Sequence, residues 1–151
     1  SVPGGKSGIY GYDAARTPWR IGTDYLWFKT AAAKTFVDRT TKWINANGGP
    51  SAIKEKYTLD GSKFDIGTAS PTEYTGNSTF IGALAVGAMA SSEADSKAFG
   101  TAYRNVPAFA DNGEIVTEGG VKYFKRAYFH ASLRVVYTAV MTGLLQPVCS
   151  K

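Results

Sequence analysis

The segment Tyr12-Asp13-Ala14-Ala15-Arg16-Thr17-Pro18-Trp19-Arg20 gathers one carboxylate, two guanidinium groups and two aromatic rings into nine residues. A carboxylate followed three residues later by an arginine has a direct chemical use. The guanidinium keeps the carboxylate ionised and fixes its direction, by charge and by hydrogen bonding. An ionised carboxylate among aromatic side chains can act as a general base on water. That mixture suits a sugar-binding cleft. The same residues also make a structural ion pair at a helix entrance, and their types alone do not separate the two readings. The segment lies near the start of the chain, so any group that cooperates with Asp13 must come from far along the chain or from another chain.

Other chemistries lack material. His130 is the single histidine. A serine–histidine–acid triad would need it as base, and no nucleophile-elbow motif is present. Nothing recommends a metal site, and no cofactor is expected. Cys149 is the single cysteine, which excludes an internal disulfide framework and a cysteine-based metal site. It is either a free thiol or one end of a disulfide to another chain. The net charge of +5 comes from 17 Lys and Arg that are scattered along the chain. No basic run tracks phosphates, so no nucleic-acid partner is expected. No apolar run approaches the ~20 residues of a membrane helix. The 151 residues are one domain's worth of chain, and the 44% hydrophobic content is that of a globular protein.

The elements that must position Asp13 read as helices. Thr17-Pro18 is a helix start, with Thr as N-cap and Pro at the first helical position, opening a helix over 18–28. Thr30 caps a second helix over 31–46, with Phe36, Val37, Thr40, Trp43 and Ile44 on one face and Lys34, Asp38 and Lys42 on the other. Asn47-Gly48-Gly49-Pro50 ends it. Residues 50–77 read as a long irregular stretch. A third helix spans 78–90, rich in small residues. Ser92-Glu93-Ala94-Asp95 resembles a capping box and opens a fourth helix to about 104. Residues 105–121 read as loop, with short strand pieces only near Thr58–Leu59 and Ile115–Thr117. The last helix is expected over 123–142, apolar over so much of its surface that neighbours on both sides should bury it. The fold class is all-α, about five helices joined by long cleft-forming loops.

Tyr12-Asp13-Ala14, Arg16-Thr17-Pro18-Trp19-Arg20, Ile21 and Asp24-Tyr25-Leu26-Trp27 resemble the stretch around the catalytic base in glycoside hydrolase family 8. Gly49-Pro50, Tyr57-Thr58-Leu59-Asp60-Gly61, Phe80-Ile81-Gly82-Ala83, Ala88-Met89-Ala90, Tyr128-Phe129, Ser132-Leu133, Thr142-Gly143 and Pro147 follow in that family's order. The resemblance covers nearly the whole chain, with its first motif the most specific. It implies that residues 1–151 are the C-terminal part of a catalytic domain, holding part of an (α/α)6 barrel. It implies endo-acting hydrolysis of a β-1,4-linked polysaccharide, most simply cellulose or another β-glucan, with inversion at the anomeric carbon. Asp13 would be the general base and Arg16 would orient it, with Tyr12 in the same site. Tyr128, Phe129 and Trp19 would be the substrate-binding candidates; Trp19 and Trp27 also read as core residues.

The family's general acid is a glutamate upstream of the base, and no acidic residue precedes Asp13 here. The expectation is therefore a split or nicked enzyme whose N-terminal companion chain supplies the acid. Gly4-Gly5-Lys6-Ser7-Gly8 reads as a cuttable loop end and Ser1 as a processed or trimmed end. Cys149 could tie the two chains together, and the protein would be secreted. Two alternatives stay open: a non-catalytic polysaccharide-binding or scaffold subunit, and an acid from within the chain among Glu55, Asp60, Asp65 and Glu73.

Overall fold

The computed structural model describes residues 9–54, 57–61, 78–106, 115–118, 121–124 and 127–147; for residues 9, 115–118, 121–124, 127 and 128 it describes the backbone. The described chain is mostly helical, as the apolar periodicity predicts. Its elements run β1 (Ile9–Tyr10), α1 (Arg16–Phe28), α2 (Ala31–Ala46), a 3-10 turn (Pro50–Ala52), β2 (Tyr57–Thr58), α3 (Ser78–Ala88), α4 (Glu93–Arg104), β3 (Ile115–Glu118), β4 (Val121–Phe124) and α5 (Ala127–Met141).

Helix α1 starts two residues before the expected position. The chain is already winding through a turn at residues 12–15, where the Ala15 N–H donates to the Gly11 carbonyl at 2.8 Å and the Thr17 N–H to the Ala14 carbonyl at 2.9 Å. The N-cap is therefore Ala15, with helical dihedrals and no side-chain cap, and Thr17 lies inside the helix. Pro18 still falls in the first turn, where its missing N–H leaves no helical bond unmade. The helix ends at Lys29, in the left-handed region at φ 57°, with its N–H on the Tyr25 carbonyl.

Helix α2 has the expected bounds. Thr30 occupies the N-cap position with extended dihedrals, but its hydroxyl makes no cap hydrogen bond. Val37 and Ile44 are buried with Ala33 and Thr41, one stripe at helical spacing. The Asn47-Gly48-Gly49 exit behaves as predicted, with positive φ at both glycines. Ser92 caps α4: its hydroxyl accepts from the Asp95 N–H at 3.1 Å and donates back to the Asp95 carboxylate at 2.7 Å. The first bond is the capping-box half expected from the sequence; in the second, the shorter Asp side chain meets the Ser92 hydroxyl rather than the Ser92 backbone N–H.

Helix α3 is the centre of the molecule. Every residue from Ser78 to Ala88 is buried, and α1, α2, α4 and α5 all pack on it. Glycines set how close they come. A Cβ on Gly22 would lie 2.7 Å from the Gly87 Cα, so α1 and α3 cross backbone against backbone. A Cβ on Gly82 would lie 2.4 Å from the Tyr137 ring and 2.8 Å from the Tyr103 ring. Gly82 is thus the floor on which α4 and α5 lay their tyrosines.

Two expectations about the C-terminal region are corrected. Residues 121–124 are strand β4, paired antiparallel with β3 in the register Ile115↔Phe124 to Glu118↔Val121, and α5 begins at Ala127. The β-branched residues Ile115, Val116, Thr117 and Val121, with Gly119-Gly120 between the runs, favour pairing over helix. Nor is α5 buried on both sides. His130, Tyr137 and Val140 face the core, while Ala131, Ser132, Val135 and Thr138 are exposed; Val135 is 69% exposed. Among the described residues α3, Tyr103 of α4 and Trp19 of α1 pack on α5.

A second short pairing ties the site's approach to the middle of the chain. Strand β1 pairs antiparallel with β2, setting Tyr10 opposite Tyr57. Their rings continue into a contiguous aromatic series. Trp43 meets Tyr57 edge-on at 5.2 Å, Tyr57 lies 6.3 Å from Tyr10, and Tyr10 meets Phe80 at 5.8 Å.

Candidate active site

Asp13 stands on the turn between β1 and α1. Its side chain is fully exposed, and the Arg16 guanidinium donates to its Oδ1 at 3.0 Å. The same guanidinium reaches back to the Asp13 carbonyl at 3.4 Å. The i,i+3 spacing in a turn running into a helix brings the two side chains onto one side. One carboxylate oxygen is thereby fixed by charge and a hydrogen bond, and the carboxylate keeps open acceptor sites toward solvent.

Beside it the Tyr12 ring packs, among the described residues, on three others. It meets Phe80 of α3 edge-on at 5.1 Å, and Phe129 and His130 of α5 at 6.0 and 5.8 Å. Phe129 is 37% exposed, so this aromatic wall reaches the surface. Tyr12, next to Asp13 in the chain, is thus brought against Phe129 from the other end of the chain. Tyr128 adjoins Phe129 in the first turn of α5, but its side chain lies outside the described residues. Trp19 lies one turn further along α1, half-buried. It packs edge-on against Tyr137 at 5.4 Å, with the Arg20 guanidinium 5.7 Å over its ring. Its main packing is with the core, as its place in the helix suggested.

Behind the wall lies a polar cluster that the sequence reading left unassigned. His130 is buried, and its Nδ1 lies 2.6 Å from Thr79 Oγ1, a hydrogen bond whose direction follows the imidazole tautomer. The Tyr137 hydroxyl donates to the Thr79 carbonyl at 3.3 Å. Burial raises the Tyr137 phenol above its ordinary range, with Tyr103 adding to this and Arg16 and Arg20 opposing it. Burial likewise raises Tyr10, helped by Tyr137 and Tyr57. Neither phenol is therefore a base at neutral pH. Among the described residues no cluster of His, Cys, Asp and Glu could hold a metal ion.

Of the alternative acids, Asp60 is described. It is exposed, and its carboxylate accepts from the Thr58 hydroxyl in a local turn. Glu55, Asp65 and Glu73 lie outside the described residues, as does Cys149. No described helix is long and apolar enough to cross a membrane.

No protein-family model matches the chain. Curated relatives do. The chain is 36% identical over 93 residues to a "Beta-glucanase" of Niallia circulans, covering 60% of this chain and 21% of that one. It is 38% identical over 85 residues to "Endoglucanase A" of Acetivibrio thermocellus, 56% of this chain and 16% of the other. It is 37% identical over 83 residues to "Endoglucanase 2" of Ruminiclostridium josui, 55% and 16% respectively. The matched stretch spans about a fifth or less of the length of these relatives. Over more than half its own length, then, the chain is similar to proteins named as glucanases.

Proposed function

We propose that this chain carries the general base of an inverting, endo-acting hydrolase of β-1,4-linked polysaccharide, most simply a β-glucan, of glycoside hydrolase family 8. The observation that carries the reading is the Asp13 carboxylate, open to solvent, paired with Arg16 and standing beside the Tyr12–Phe129 wall. Similarity to proteins named beta-glucanase and endoglucanase supports the choice of substrate.

In this reading Asp13 takes a proton from the water that attacks the anomeric carbon. A carboxylic acid across the groove gives its proton to the departing glycosidic oxygen. The two carboxyl groups of an inverting pair stand ~6.5–9.5 Å apart, leaving room for that water. Arg16 aims Asp13, and Tyr12, Phe129 and Tyr128 offer ring surfaces to the sugar, with Trp19 supporting α1 from behind. The acid comes from an N-terminal companion part that completes an (α/α)6 barrel, joined through Cys149 if a disulfide forms, and the assembly is secreted. The exposed apolar residues Val135, Leu144 and Leu145 support such a covering partner, since stable surfaces rarely leave large apolar areas open.

The test is the stereochemistry of the product together with Asp13→Asn. Proton NMR of a soluble β-1,4-glucan digest should show α-anomeric reducing ends first. Asp13→Asn should stop hydrolysis in the assembled enzyme while assembly survives. Turnover that persists in Asp13→Asn removes Asp13 from the role of base.

A further inference from the structure

We propose that His130 and Thr79 are positioning residues for this site: together they lock the Tyr12 ring, and through it the turn that aims Asp13. The inference rests on the proposed role of Asp13 and adds a residue pair to it.

The Asp13 side chain is fully exposed, so packing on the carboxylate itself does not set its direction. The direction comes from Arg16 and from the backbone of the turn at residues 12–15. That turn is anchored at both ends. Ala15 is fully buried, and its N–H closes the turn on the Gly11 carbonyl. At the other end the anchor is the Tyr12 ring, in contact with Phe80, Phe129 and His130.

Two of those three contacts are with hydrocarbon rings, which pack but do not fix their own rotation. The third carries a polar constraint. The imidazole Nδ1 is 2.6 Å from the Thr79 hydroxyl, and both residues are nearly or fully buried, at 9% and 0% exposed. A buried hydrogen bond of this kind is costly to leave unmade, so the imidazole holds one rotamer. The backbone on each side is also tied: the Ser78 hydroxyl donates to the His130 carbonyl at 3.3 Å, and the Tyr137 hydroxyl donates to the Thr79 carbonyl at the same distance. The pair therefore joins the first turn of α3 to the first turn of α5 where the Tyr12 ring rests. The oriented imidazole gives Tyr12 one seat, and Tyr12 precedes Asp13 in the chain.

Thr79→Val keeps the shape of the side chain and removes the hydroxyl, Thr79→Ser restores the hydroxyl, and His130→Gln removes the ring. In the assembled enzyme, on a soluble β-1,4-glucan, Thr79→Val and His130→Gln should lower kcat by roughly 10- to 100-fold, the scale of a misplaced catalytic group. KM should be unchanged, and Thr79→Ser should restore kcat. A fluorotyrosine at position 12, read by fluorine NMR, should shift or broaden in Thr79→Val and return in Thr79→Ser. Asp13→Asn runs alongside. If it abolishes turnover while Thr79→Val keeps both wild-type kcat and an unchanged fluorine signal, the inference is overturned and the role of Asp13 stands. If Asp13→Asn keeps turnover, the reading of Asp13 falls and the inference falls with it.

Discussion

The carboxylates of Asp13 and Asp95 each stand at the entrance of a helix, and their surroundings differ in kind. Asp95 accepts from the Ser92 hydroxyl at 2.7 Å, from the Ser91 hydroxyl at 3.0 Å and from the Asn45 side-chain amide at 2.8 Å. The single Ser91 proton is shared with Asp38, also at 3.0 Å, and Asp38 is paired with Lys34 at 2.5 Å. The result is a polar tie between α2 and α4. Asp13, by contrast, is met by Arg16 on an open surface. A carboxylate has about four acceptor sites. Asp95 spends most of its own on protein donors, while Asp13 keeps most of its own for solvent. One arrangement holds helices together; the other leaves a carboxylate open to water, as the role proposed for Asp13 requires.

The largest expected effect is on activity. Asp13→Asn should lower turnover of a β-glucan by roughly 100-fold or more with an unchanged unfolding midpoint. Asp95→Asn should do the reverse, keeping turnover and lowering the midpoint. Loss of activity in Asp95→Asn would break the comparison. Next is Gly22→Ala. Its Cβ would meet the Gly87 backbone at 2.7 Å, pushing α1 off α3 at a cost of about 1–3 kcal/mol in urea unfolding. Activity should fall too, because α1 carries Arg16. A smaller effect belongs to Ser92→Ala, which removes the cap of α4 and should cost about 1 kcal/mol by the same measurement, with turnover intact.

The smallest effect is a pH dependence that sharpens the contrast. Burial pushes the Asp95 carboxyl up, but hydrogen bonds from Ser92, Asn45 and Ser91 and the charge of Lys34 outweigh it, so the net shift is downward. A carboxyl lowered in the folded state contributes stability above its unfolded pKa of about 4 and loses it as pH falls through the folded value. The unfolding midpoint of the wild type should therefore drop more steeply below about pH 4 than that of Asp95→Asn. Parallel curves would show that the Asp95 hydrogen bonds do not favour the ionised form.

Much of this contrast was legible in the residues. The Ser92 cap of α4 and the stripe of Val37 and Ile44 are local patterns, and local patterns read well from spacing. Asp13 and Arg16 were legible for the same reason, being three residues apart. What spacing hides is the partner across the fold. Nothing near Tyr12 in the sequence announces Phe80, and His130 reads as a lone histidine until α3 brings Thr79 beside it. Its being the single histidine, close to Phe129, was the one available signal. Strand β3 was legible as a short piece at Ile115–Thr117, but its partner β4 was missed because residues 121–124 were read as loop and helix; Gly119-Gly120 between β-branched residues was the mark to read. The exposed side of α5 was missed because apolar content says that a face wants covering, not that this chain covers it.

Helix α3 has no side facing water, and that has a consequence for how the chain is made. During synthesis α1 and α2 emerge before it, while α4 and α5 follow. Until those later helices arrive, Phe80, Ile81, Leu84 and Val86 form a segment with no polar face to present to solvent. Such transiently exposed apolar segments are where aggregation begins and where chaperones bind. The helix that organises the finished molecule is thus also the point at which its production is most exposed to failure.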